Sequence, residues 1–79
     1  MTTYKAISKA MQLFNRKHKD GDIRKIVLLE GSGYGNDWSD ILIQIEYAIG
    51  DDYTESDAKP FVVNVIHNRD YGDISAFEW

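Results

Sequence analysis

The side chains most able to do chemistry fall in four short clusters. His67 is followed by Asp70 and Asp73, an imidazole and two carboxylates in one turn-like stretch. Such a group suits metal ligation or proton transfer. Two titratable partners in a turn arise readily by chance, however, and a three-ligand centre needs another donor brought in by the fold. Ser39 lies between Trp38 and Asp40, with no histidine near it in sequence and no sign of a strained nucleophile elbow. Gly31, Gly33 and Gly35 follow an apolar run, as the glycines of phosphate-cradling loops do. That chemistry requires G-x-G-x-x-G opening a helix, or a glycine-rich loop ending in Gly-Lys-Ser/Thr. Here Asn36 follows, no lysine comes next, and Asp37 and Asp40 would repel a phosphate. A flexible hairpin loop is the better reading.

The fourth cluster is Asp51, Asp52, Glu55 and Asp57. A calcium-binding EF-hand needs oxygen ligands at alternate positions and glycine at the sixth. Counted from Asp51, Tyr53 holds the third position and Ser56 the sixth, so the pattern fails. A solvated acidic loop is expected. The chain has no cysteine, which excludes thiolate metal sites and cysteine nucleophiles and fits a reducing compartment. The expectation is therefore a non-enzyme without metal or cofactor.

Charge is divided along the chain. Residues 1–25 carry seven cations against two acids, a balance of +5, and residues 26–79 carry two against eleven, a balance of −9, which together give the net −4. A separation of this size produces a field that steers partners. The basic side chains Lys5, Lys9, Gln12 (polar), Arg16 and Lys19 share a helical period, the footprint expected of a phosphate contact. No stacking aromatics are interleaved with them, and the acidic remainder opposes approach to a polyanion. Direct nucleic-acid binding is not expected.

The elements that must position these groups follow from periodicity. Tyr4, Ile7, Met11 and Phe14 recur at spacings of three and four, predicting an amphipathic helix with Thr3 as N-cap and a stop at Asp20-Gly21. His18 falls in the basic helix and is expected to be exposed. Ile23 to Glu30 reads as a strand, central because Ile26-Val27-Leu28-Leu29 is apolar on both faces. Residues 31–37 read as a flexible connection. Trp38 to Ile49 fits a helix face in part, but Ile41, Ile43, Ile45, Tyr47 and Ile49 recur at strict period two with Gln44 and Glu46 on the other face, which favours a strand. A polar loop from Gly50 closes at Pro60, which would not sit inside a central strand. Strands at Phe61–His67 and Ile74–Trp79 flank hairpin-turn chemistry at residues 68–73. The prediction is one α+β domain over 1–79, an N-terminal helix packed on a mostly antiparallel four-stranded sheet, αββββ. No run approaches a membrane span, and no apolar signal block is visible, so a cytoplasmic protein without a membrane partner is expected.

Function is expected to reside in the acidic part. Asp51, Asp52, Tyr53, Glu55, Asp57, Asp70, Tyr71, Asp73 and Trp79 combine carboxylates, which speed encounter with a basic surface, with aromatics that bury area at small entropic cost. No stretch carries a family motif. The general profile (small, acidic, cysteine-free, with charged loops) is similar to that of phage-encoded inhibitors such as anti-CRISPR and antirestriction proteins, and to that of toxin-immunity proteins. The resemblance implies a monomer or homodimer that binds a larger protein through that protein's basic, nucleic-acid-binding surface. A toxin-immunity protein or small adaptor, and a nucleic-acid binder acting through the helix, are the alternatives.

Overall fold

The structure is a computed structural model and describes residues 1–49 and 58–79. Helix α1 (Thr3–Lys17) is followed by strands β1 (Gly21–Tyr34), β2 (Asp37–Ile49), β3 (Lys59–Asn68) and β4 (Asp73–Glu78). The strands form one antiparallel sheet in the order β1-β2-β3-β4, with α1 on one face. This is the expected αββββ α+β fold.

Register explains where the core sits. Residues paired across an antiparallel ladder share a face. The rows Ile26–Ile45–Phe61, Leu28–Ile43–Val63 and Gly31–Ile41–Val65–Ala76 all face α1. Ile41, Ile43, Ile45, Val63 and Val65 are fully buried there. The period-two pattern of β2 is thus a core-facing stripe, and only its end, Ile49, is exposed.

The helix meets the sheet through a different stripe from the one its spacing predicts. Ala6, Ala10, Leu13 and Phe14 are buried, Ile7 and Met11 pack at the flank, and Tyr4 is 82% exposed. Two alanines let the helix axis approach the strands closely, and they displace the bulkier stripe sideways. The N-cap is Thr2, whose hydroxyl accepts from the Lys5 amide at 3.2 Å, one residue earlier than expected. At the other end His18 is the C-cap, its N–H donating to Phe14 O at 2.7 Å. Its ring lies 4.7 Å from Tyr47 and 5.2 Å from Phe61 between centroids, so it belongs to an aromatic cluster with Phe14 and is not a free surface group.

Strand β1 is an edge, not a central strand. Its apolar run reflects register shifts between Ile23 and Lys25 and between Leu28 and Glu30, where an extra residue breaks the alternation. Leu28 and Leu29 are both exposed by more than two-fifths. The strand also continues through Gly31–Tyr34, so the expected flexible loop reduces to the two-residue turn Gly35-Asn36. Gly35 takes a φ of 62°, and among the described residues positive φ occurs at glycine alone, as the first central position of a type II′ hairpin turn requires. Gly31 answers a close approach instead: a Cβ there would lie 2.9 Å from the Trp38 ring and 2.8 Å from Asp40 O. Pro60 does lie in β3, opposite Glu46, at a level that the paired part of β4 does not reach. Its missing N–H therefore breaks no β3–β4 bond.

Candidate functional site

Turns at one end of the sheet gather the most connected polar groups. The amino-terminal ammonium of Met1 donates to Asp37 Oδ1 at 2.8 Å and to Trp38 O at 2.9 Å, and lies 3.1 Å from His67 Nδ1. Arg69 Nη2 donates to Asp37 Oδ2 at 2.9 Å. Trp38 Nε1 donates to Thr3 Oγ1 at 2.8 Å, and that hydroxyl donates to Asn36 Oδ1. Two cations beside Asp37 hold its carboxyl below the usual carboxylate range, the hydrogen bond from the ammonium contributing most and that from Arg69 next. A carboxylate so engaged has no proton to give near neutral pH. The arrangement ties the helix start to β2 and β3, which is a positioning role. Nothing in the spacing of residues 1, 37, 67 and 69 announces it, since the groups meet only after the sheet has formed.

His67, Asp70 and Asp73, near one another in sequence, are not assembled into one cluster. His67 pairs with Ile74 across β3–β4 and turns toward Met1, whereas Asp73 pairs with Asn68 on the other face. Among the described residues no group of His, Asp and Glu has the geometry of a metal site, and no hydrogen bond joins Ser39 to His67.

The expected partner-binding residues divide into three sets. Asp70 and Tyr71 are exposed in the β3–β4 turn, and Asp73 is exposed at the start of β4. Gly72 closes that turn by donating to Asn68 O at 2.7 Å. Trp79 is exposed beyond the far end of β4, its N–H bonded to Val62 O at 2.8 Å. At about 3.4 Å per residue, the length of β4 puts roughly 17 Å between these two sets. Asp51, Asp52, Tyr53, Glu55 and Asp57 lie outside the described residues. Asp70, Tyr71 and Asp73 thus share one end with the Asp37 cluster, and Trp79 stands at the other.

Sequence reasoning overlooked the sheet face that α1 does not cover. Register places on it the rows Lys25–Glu46–Pro60, Val27–Gln44–Val62, Glu30–Leu42–Asn64–Phe77 and Ser32–Asp40–Ile66–Ser75, with Asn68 opposite Asp73 beyond. No described helix or strand lies over it. Exposure varies across the face: Ala48 is buried at 3%, whereas Ile66 at 38% and Phe77 at 55% are exposed apolar side chains. A cleft of about 490 Å³ opens at the Ile66–Phe77 end, beside the β3–β4 turn. Asp22, Glu30, Asp40, Glu46 and Asp73 occupy this face or its border, with Lys25 the cation among those rows. The signal available in sequence was the even-numbered half of β2 and β3, where Leu42, Val62 and Ile66 interrupt the polar residues.

In comparisons with known proteins, no family model, no curated protein and no solved structure matches the chain. The fold and the surface just described carry the functional argument by themselves.

Proposed function

We propose that this chain is a non-enzymatic protein-binding module, a small acidic inhibitor of the phage type, similar in kind to anti-CRISPR and antirestriction proteins. It acts by occluding a basic, nucleic-acid-binding surface of a larger protein. The observation that supports the reading is the placement of charge. Lys5, Lys9, Arg16 and Lys17 belong to α1, on one side of the sheet, while Glu30, Asp40, Glu46 and Asp73 belong to rows on the other. The helix cations and these carboxylates thus lie on opposite sides of the sheet, with Lys25 the basic residue that shares the rows of the carboxylate-bearing face. Carboxylates around apolar side chains complement a basic patch, speeding encounter while the apolar contacts slow release.

The test has two arms. Tagged protein incubated with lysate at low and at high salt should retain a nucleic-acid-binding protein that salt releases. Added in stoichiometric amount, the chain should then abolish that protein's gel shift with its nucleic acid. In the second arm, the chain alone should bind random duplex no more tightly than the roughly 10⁻⁴–10⁻⁶ M of non-specific association. Nanomolar duplex binding that collapses with Lys9→Ala and Arg16→Ala would replace the inhibitor reading by direct nucleic-acid binding.

A further inference from the structure

Resting on that reading, we infer that the uncovered face docks its partner at the β3–β4 end, where the cleft takes a basic side chain, arginine or lysine, extending from an apolar segment. The cleft floor is Ile66 and Phe77, two apolar side chains on neighbouring strands. Its walls add Ser39, Asn68 and Ser75, and Asp70 stands at the turn side. A long aliphatic stem fits such a floor while its charged head needs acceptors at the rim, the division of labour that Lys and Arg side chains make at apolar surfaces. An aromatic ring beneath the stem adds attraction for the cation. Arg69 also lines the cleft, its guanidinium drawn to Asp37 at 2.9 Å, and His67 Nδ1 lies 3.1 Å from the Met1 ammonium.

Charge decides the occupant. The rows beside the cleft carry Glu30 and Asp40, and Asp73 lies beyond Asn68, so the border is acidic around an apolar centre. A second copy brought face to face would set these carboxylates against their own equivalents, and like charges so juxtaposed cost affinity. A nucleic acid would be repelled outright. A protein segment with cations flanking apolar side chains meets both requirements. Exposed apolar side chains set the place, since Ile66 and Phe77 line the cleft and both are exposed.

Two short synthetic peptides serve as probes, one alternating Arg and Leu, the other alternating Arg and Ser at equal charge. Fluorescence anisotropy should give the Arg/Leu peptide at least roughly tenfold the affinity of the Arg/Ser peptide, about 1.4 kcal/mol. Backbone amide shifts on titration should centre on Leu42, Asn64, Ile66 and Phe77. Phe77→Ser, and Ile66→Ser with Phe77→Ser, should lose that advantage while circular dichroism shows the fold intact. If the double variant does not fold, Phe77→Ser alone with the amide map decides. Equal affinity for both peptides, or shifts confined to α1, would overturn the inference. If Asp51→Asn/Asp52→Asn/Glu55→Gln abolishes Arg/Leu binding while Phe77→Ser leaves it whole, the docking place is wrong and the acidic-inhibitor reading stands. Absence of salt-sensitive binding by the unaltered chain would remove both.

Discussion

The two faces of the sheet are made by alternate residues of the same strands, yet they have different physical characters. On the helix side, Ile41, Ile43 and Ile45 face Phe61, Val63 and Val65, and solvent reaches almost none of them. On the other side, Leu42, Gln44 and Glu46 face Asn64, Val62 and Pro60, a mixture of apolar and polar groups with no described element above. Burying apolar surface stabilises by about 25 cal/mol per Å². The covered face collects most of that gain, so it is where substitution should be least tolerated. The other face carries Leu42, Val62, Ile66 and Phe77 among its polar residues, with no described helix or strand over them.

The sharpest break of this comparison exchanges neighbours on β2. Ile45→Asp places an unpaired charge among Phe61, Ile26 and Ile43, and it should abolish the cooperative thermal transition, because burying an isolated charge costs several kcal/mol or more. Gln44→Lys, one residue away, sets a cation beside Glu46, whose carboxylate now accepts from Gln44 at 3.1 Å. It should cost under roughly 1 kcal/mol, as surface changes usually do. Comparable damage from both would mean that the uncovered face is also core.

That contrast also explains what the sequence made readable. The alternation of Ile41, Ile43, Ile45 and Tyr47 was decisive because β2 is regular from Asp40 to Ile49 and half-buried throughout. In β1 an irregular ladder spoiled the same logic: Ile26-Val27-Leu28-Leu29 looks buried on two faces, when Leu28 and Leu29 flank a register shift on an exposed edge. The helix misled through Ala6 and Ala10, small residues whose value is close approach and which hydropathy patterns weight lightly. His18 was assigned to solvent by its charged neighbours, although its ring caps the aromatic cluster at the helix end. The candidate binding residues are positions in loops and at strand ends, whereas Leu42, Ile66 and Phe77 are brought to one face only by strand pairing.

A second pair of substitutions compares one aromatic residue on each face. Phe14 is fully buried against α1's side of the sheet, its ring 5.1 Å from Tyr47 and 5.7 Å from Phe61. Truncation to alanine should cost about 3–5 kcal/mol, read as a loss in urea midpoint at unchanged slope. Phe77→Ala should cost less than roughly 1 kcal/mol, since the ring is more than half exposed and no described element packs over its face. Near-equal losses would show that the Phe77 ring is held in the isolated chain and is not available to a partner.

The smallest effect concerns the charged end that joins the two faces. Asp37 is exposed, and its carboxylate bridges the Met1 ammonium and Arg69, so its pKa in the folded state lies below its ordinary value of about 3.8. A group whose folded value is depressed contributes stability that is present above its unfolded value and lost as pH falls through the folded one. Asp37→Asn should therefore lower the melting temperature slightly at pH 7, by an amount that shrinks as pH drops below about 4 and the wild-type carboxylate also takes up its proton. Added salt should narrow the difference at pH 7, because exposed pairs are screened. Phe14→Ala has no such pH window, as neither phenylalanine nor alanine ionises; Ile45→Asp does have one, because low pH protonates the introduced carboxyl and lessens the cost of burying it. Melting curves of wild type and Asp37→Asn at pH 7, 4 and 2.5 distinguish the cases. A gap that stays constant down to pH 2.5 would mean that Asp37 acts through turn geometry at Gly35-Asn36 and not through its charge.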